Sequence, residues 1–259
     1  IRELRILARL SEAAHDTSTT TTRQGALFAY ELLASTLHVL LEPYVDGILA
    51  DLLLCFGDTH ADVREATQDA ARVLMRSLSG QCLKLILPSL LDGLDEKQWR
   101  TKKGAVELLG AMAFCAPRQL SAALPTIIPR LSEVLTDSHR QVSTAANQSL
   151  KQFGEVIHNP EIHALVPSIL KARGDPPAQP ALALKGLLRT KFVHYIDAPS
   201  LALIAPIIER GLRERTVLLQ KQAAQIVGHL ASRTDARIGR GRRELDPRAR
   251  RERGQGPGS

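Results

Sequence analysis

Along this chain an acid follows a proline, or a residue in its slot, at a nearly constant interval. The pairs are Pro88 and Asp95, Pro129 and Asp137, Pro167 and Asp175, and Pro206 and Glu214, with Ala50 and Asp58 in the same register one unit earlier. Successive acids lie 37 to 42 residues apart. A period near forty residues is the mark of a helical repeat array. Each helix pair in such an array buries its apolar side only against the pairs before and after it. The product is a platform for partners, which seldom catalyses.

The periodicity within each unit agrees. Leu83, Leu87, Leu90 and Leu94 recur at i, i+4, i+7 and i+11, as do Leu124, Ile128, Leu131 and Leu135 one unit later; each set makes one apolar helix stripe. A polar turn carrying the acid follows, and then a second helix, expected at 63–78, 99–114 and 142–157. Asn159-Pro160-Glu161 predicts a helix start, with a capping side chain, a proline at the first helical position and an acid in the first turn. Asp197-Ala198-Pro199 predicts another. The threonine-rich run 17–22 reads as a loop between a frayed first helix and a helix over 24–41, and the prolines at 176, 177 and 180 crowd the turn before a helix over 181–192. The sum is an all-α, HEAT-repeat α-solenoid of about five to six helix pairs over residues 1–232.

Composition fits this reading. The chain is 44% apolar but only 3% aromatic, so its core is built from Leu, Ala, Ile and Val, as in close-packed helix pairs. The net charge of +7 is concentrated at one end. Residues 233–259 hold nine Arg and four acids, and the preceding 232 residues carry only two charges of excess. The pI therefore says little about the repeats. The 233–259 segment, rich in Arg and Gly, lacks apolar periodicity and is expected to be disordered; its arginines offer RNA an attraction with little sequence preference.

The residues show no chemistry of their own. No G-x-S-x-G, H-E-x-x-H or Walker A sequence occurs, so neither catalytic residues nor a cofactor are expected. Cys55, Cys82 and Cys115 lack the spacing of a zinc site and read as small core residues in a reducing compartment. His158 and His163 are five apart and point away from each other on a helix, so no metal is expected. The Asn147-Gln148-Ser149 sequon lies in an expected helix and reads as chance. The longest apolar stretch, 198–208, is too short to span a bilayer and holds two prolines. With no methionine or signal-type segment at Ile1, the chain reads as an internal fragment of a longer cytoplasmic protein.

The most individual stretch lies in one of the acid-bearing turns, from Leu94 to Lys103, and contains Trp99, the single tryptophan. Trp99 has two readings. Its distance from the acid matches that of Val63 and Val142, which makes it a plug at the junction of its helix pair. Alternatively its ring sits partly at the surface beside Lys97, Arg100, Lys102 and Lys103, where it stacks on a partner. Turns of a solenoid line one edge, so Arg64, Lys97, Arg100 and Arg140 are expected along one ridge, interspersed with Asp58, Asp62, Glu65, Asp95 and Asp137. We take Lys97, Trp99, Arg100, Lys102, Lys103 and Arg140 as the candidate partner-binding set.

The segment 94–120, LDEKQWRTKKGAVELLGAMAFCAPRQL, resembles the general-control non-derepressible translational activators, in their region similar to translation elongation factor three. EVLTDSHRQV at 133–142, NPEI at 159–162, DAPSLALI at 197–204 and KQAAQIVG at 221–228 carry the same resemblance, which spans most of 25–230. It implies a HEAT-repeat scaffold that lies along ribosomes, detects stalled ones, works with an ABC-type ATPase partner, and promotes signalling by the kinase of initiation factor two alpha in amino-acid starvation. No membrane and no small-molecule substrate are implied. Two stretches depart from the family: the proline-rich 176–180 replaces a more polar turn, and after Thr234 an Arg/Gly-rich stretch stands where further repeats would follow. The family's kinase-contacting region lies further along, so this segment is not expected to bind the kinase itself. The runner-up is a tubulin-binding TOG-like array, supported only by a tryptophan followed by basic residues in a turn.

Overall fold

The computed structural model describes residues 5–174, 180–190, 192 and 196–244, which are helices and connecting turns. Two compact units form, 1–158 and 159–259, where the sequence suggested one body over 1–232. In the first unit the helices alternate between two rows. One row holds α1 (Ile6–Ala14), α3 (Val45–Phe56), α5 (Gly80–Asp92) and α7 (Pro117–Val134). The other holds α2 (Thr20–Leu37), α4 (Ala61–Ser77), α6 (Trp99–Cys115) and α8 (Arg140–Glu155). Each helix packs on its partner across the rows and on the next helix of its own row. The fold is the expected all-α repeat solenoid.

The stripes explain the packing. Leu83, Leu90 and Leu94, and Leu124, Ile128 and Leu131, are all essentially removed from solvent, and the second row contributes Leu74, Leu109, Met112, Leu150 and Phe153. Alanine and glycine let the second row close. Gly104 sits where a Cβ would stand 2.5 Å from the Phe56 ring. The recurrent prolines Pro88 and Pro129 lie inside α5 and α7 on exposed positions, where the lost backbone bond and slight bend are tolerated at the solvent side.

Helix ends fall where side chains meet the free amides. Ser79 accepts from the Cys82 amide at the start of α5. The threonine run is only half a loop: α2 starts at Thr20, because Asp16 accepts from the Ser18 amide at 2.8 Å and from the Thr19 hydroxyl at 3.0 Å and so closes the preceding turn. The far end of α2 is also earlier than expected. It stops at Leu37, since His38 takes φ 46°, and a 3₁₀ turn over His38–Tyr44 follows.

In the second unit, Asn159 caps α9 (Pro160–His163) by accepting from the Glu161 and Ile162 amides, as the sequence predicted. The helix is short, because Pro167 opens a new one, α10 (Val166–Gly174). There follow α11 (Pro180–Arg189), α12 (Ala198–Arg213) and α13 (Val217–Glu244). α10 packs on α12 and α11 on α13, repeating the two-row pattern. The tail boundary expected at 233 falls within α13, which carries on to Glu244; Ala, Arg and Glu are adequate helix formers even where no apolar stripe remains. Asp175, most of the crowded proline turn and residues 245–259 lie outside the described residues.

Two glycines test the packing in opposite directions. Gly104→Ala, with its Cβ against Phe56, should destabilise the first unit by about 1–3 kcal/mol. Gly47→Ala, inside α3 with nothing within 4 Å of the new Cβ, should stabilise it by about 0.5–1 kcal/mol. Urea unfolding followed by Trp99 emission checks both.

Candidate functional site

The turns entering the second-row helices come together along one edge. His60, Gln98 and His139 are the residues immediately before α4, α6 and α8. The Gln98 amide donates to the Gly57 carbonyl, and its end group lies where a Cβ of residue 57 would stand, so glycine there leaves room for this contact. In the other direction, the Trp99 ring lies parallel to the His139 ring, with centroids 3.8 Å apart and planes 10° off parallel. Three successive turns are thus joined by side chains.

The recurrent acids are structural at two of these turns. Asp58 accepts from the His60 amide at 2.8 Å and takes Nε of Arg23, from the preceding unit's α2, at 2.7 Å. Asp137 repeats this, accepting from the His139 amide at 2.8 Å and from Lys102 Nζ of α6 at 2.9 Å. Each acid therefore closes its own turn and fastens the helix before it. Burial works against ionisation of Asp58, but the Arg23 guanidinium and the His60 amide outweigh it and hold the carboxyl below the usual range. The Lys102 ammonium, with the His139 amide, lowers that of Asp137.

Asp95 breaks the pattern. Two residues separate its turn's acid from the residue before the helix, Gln98, whereas Thr59 and Ser138 alone fill that interval in the other turns. The longer turn leaves Asp95 exposed, held by Arg130 of α7 rather than by a second-row cation. Arg64, which occupies the position of Arg23 and Lys102 in its own helix, turns back to donate to the carbonyls of Asp58 at 2.7 Å and Thr59 at 2.8 Å.

The candidate set therefore divides. Lys97 and Arg140 are exposed and make no ion pair among the described residues. Arg100 lies with its guanidinium carbon 4.7 Å from the centre of the Trp99 ring. Trp99 is half-buried, so both readings of it hold in part: it plugs the junction against His139 and still presents ring to Arg100. Lys102 is committed to Asp137, and Lys103 to Glu107 at 2.8 Å. Arg23, Gln98, Arg130 and His139 were not singled out from the sequence. The equal spacing of 35 residues in Arg23/Asp58, Asp95/Arg130 and Lys102/Asp137 is the signal that would have found Arg23 and Arg130. The cysteines are inert by environment: burial pushes the Cys55 and Cys82 thiols up to about 11. No group of three or more potential metal ligands occurs among the described residues, and no helix there is long and apolar enough to cross a membrane.

This arrangement has close counterparts. Residues 1–150 match the EF3 N-terminal HEAT repeat, and residues 180–238 match the elongation factor 3/GNC1 HEAT repeat. The chain belongs to this HEAT-repeat family. It is 52% identical over 235 residues to the human stalled ribosome sensor GCN1, covering 91% of this chain and 9% of that protein. It is 45% identical to the eIF-2-alpha kinase activator GCN1 of Saccharomyces cerevisiae, over 92% of this chain and 9% of the relative. Elongation factor 3 of Gonapodya prolifera is 33% identical over 86% of this chain and 20% of its own length. The chain thus spans about a tenth of the GCN1 relatives it matches. Among solved structures, Kap121p in its complex with Pho4p superposes with a TM-score of 0.55 at 14% identity, over 90% of this chain and 26% of that one. That likeness is one of fold.

Two predictions concern the edge. Both lowered carboxyls contribute stability that is fully present above the ordinary carboxylate range, about pH 4, and is lost as pH falls through their folded-state values. Acid unfolding of the first unit should therefore be shallower in Asp58→Asn with Asp137→Asn than in the parent, measured as urea midpoint against pH. Lys102→Glu, placing a carboxylate beside Asp137, should cost about 1–3 kcal/mol, while Lys97→Glu stays within about 0.5 kcal/mol.

Proposed function

We propose that this chain is a scaffold segment of a ribosome-associated translational activator, and that its turn edge contributes to ribosome docking. The observation that carries the reading is the 52% identity, over nine-tenths of the chain, to a protein named as a stalled ribosome sensor. The yeast relative, named as an activator of the eIF-2-alpha kinase, extends the reading to kinase signalling in amino-acid starvation. The elongation factor 3 relatives are consistent with ribosome association as the common property. In this reading the protein is cytoplasmic, senses stalled ribosomes, and operates with an ABC-type ATPase partner. It has no reaction of its own to perform.

The edge suits such a role physically. Lys97, Arg100 and Arg140 project from two turns that the Trp99 and His139 stack brings side by side. Rigidly placed cations lose little freedom on meeting phosphate or acidic protein surface, and such contacts steer association. Lys102 acts behind them, by holding the turn of Asp137, and Lys103 is paired within α6 to Glu107. A tubulin-binding role rests on Trp99 alone, whose ring is already occupied by His139.

Co-sedimentation through a sucrose cushion tests the reading. The chain should pellet with ribosomes at low salt and be released as salt rises. Lys97→Glu, Arg100→Glu and Arg140→Glu together should lower the bound fraction about tenfold and flatten its salt dependence by about one contact per charge removed. Pelleting with microtubules but not with ribosomes would overturn the proposal; an unchanged salt profile in the triple variant would remove the turn edge from it.

A further inference from the structure

Neighbouring boundaries in the second helix row are built differently, although their helices share one register. Val63, Ala70 and Leu74 of α4 correspond to Thr101, Leu108 and Met112 of α6, all buried. In that register Arg72 of α4 answers to Gly110 of α6, and Arg76 to Phe114. Gly110 lets α8 close on α6: a Cβ at that position would stand 2.2 Å from Gln152 Oε1 and 2.6 Å from Ser149 Oγ. At the boundary of α4 with α6 the same slot holds Arg72, which lines a cleft of about 390 Å³ between the two helices.

The cleft has a definite chemistry. Its floor is apolar, with Met75 and Leu108 almost fully buried. At its mouth Phe114 is 67% exposed, at a position that is charged in both neighbouring helices of the row, Arg76 and Glu155. Arg72 and Arg76 stand one turn apart on the α4 lip. Arg72 has only an exposed pair with Asp69 at 2.8 Å, the kind worth little against a better partner, and Arg76 has no ion pair among the described residues. On the α6 lip, Glu107 is already neutralised by Lys103.

We propose that this cleft docks an acidic peptide segment of a partner protein, with carboxylates on Arg72 and Arg76 and one bulky apolar side chain seated on Met75 and Leu108 beside Phe114. Its volume lies within the range of ligand clefts, about 300–1,000 Å³, and is suited to one side chain with its flanking backbone. Planar guanidinium groups pair carboxylates in two-pronged fashion, and an exposed aromatic next to arginine is a common anchor in protein interfaces. Nucleic acid fits less well: the other aromatic side chain lining the cleft, Phe56, is buried, so no second exposed ring continues a stack of bases. The site lies on the second half of α6, away from the turn edge, and is independent of the function proposed above.

Fluorescence anisotropy tests this on the whole chain. The probe is a labelled peptide with a central Phe flanked by Asp and Glu, compared with its counterpart bearing Lys in place of the acids and with a single-stranded oligoribonucleotide. The acidic peptide should bind, the basic one should not, and Arg72→Glu with Arg76→Glu should weaken binding at least about tenfold. Phe114→Ser should weaken it by a similar factor, and Lys97→Glu with Arg140→Glu should leave it unchanged. All these side chains are exposed, so circular dichroism should match the parent. Equal binding of both peptides, indifference to the Arg72 and Arg76 changes, or preferential displacement by the oligoribonucleotide would each overturn the proposal.

Discussion

No helix in residues 6–155 can bury its apolar side within its own pair, and this single constraint governs the rest. Leu90 of α5 and Leu109 of α6 are fully buried, in helices that pack on α3, α6 and α7 and on α4, α5 and α8 respectively. Burial of this kind is worth about 1.5–3 kcal/mol per large aliphatic side chain, so the pairs are stable as neighbours rather than as individuals. Small residues set how near the neighbours come. Gly104 against Phe56 and Gly110 against Ser149 and Gln152 mark positions where one methyl group would force helices apart.

Apolar stripes fix which faces meet but leave sliding along the row weakly resisted. The turn acids supply that resistance. Asp58 and Asp137 each accept a backbone amide in their own turn and a cation from the unit before, so local turn geometry and the placing of the neighbouring helix are tied to the same carboxylate. Where the turn gains one residue, at 95–98, the carboxylate is exposed and Arg130 takes it up, while Trp99, at the start of the helix that follows, stacks on His139. The irregular turn is therefore also the one whose acid and neighbouring Lys97 both face solvent. A departure from the repeat is where display becomes possible.

The architecture was legible because it rests on period: the proline and acid register and the i, i+4, i+7 stripes depend only on spacing. Leu87 and Leu135, the stripe members that are half-exposed, show where spacing ends and neighbour geometry begins. Helix limits were less legible, since the stop at Leu37 depends on the positive φ of His38 and the start at Thr20 on the Asp16 side chain. The candidate site was legible only as a list. Six residues near one turn could be named, but whether a cation faces solvent or a carboxylate depends on a partner about 35 residues away. Lys102 and Lys97 look alike in sequence, and only the position of Asp137 separates them.

That distinction bears on how a scaffold of this kind acquires specificity. Basic residues near its turns serve two ends, and those that fasten the frame are unavailable to a partner, so charge content overstates the binding surface. The cations proposed to meet partners are placed by specific neighbours: Arg100 lies over the Trp99 ring, Lys97 sits in the lengthened turn, and Arg72 and Arg76 line the cleft at a helix boundary. One register runs through α4, α6 and α8, and Arg72 and Gly110 share a slot in it: the boundary beside Arg72 holds a cleft, the one beside Gly110 is closed, and the buried stripes beneath have the same spacing. Neighbouring units of this frame thus differ at slots outside the buried stripe, in closure at Gly110 and in charge at Arg72.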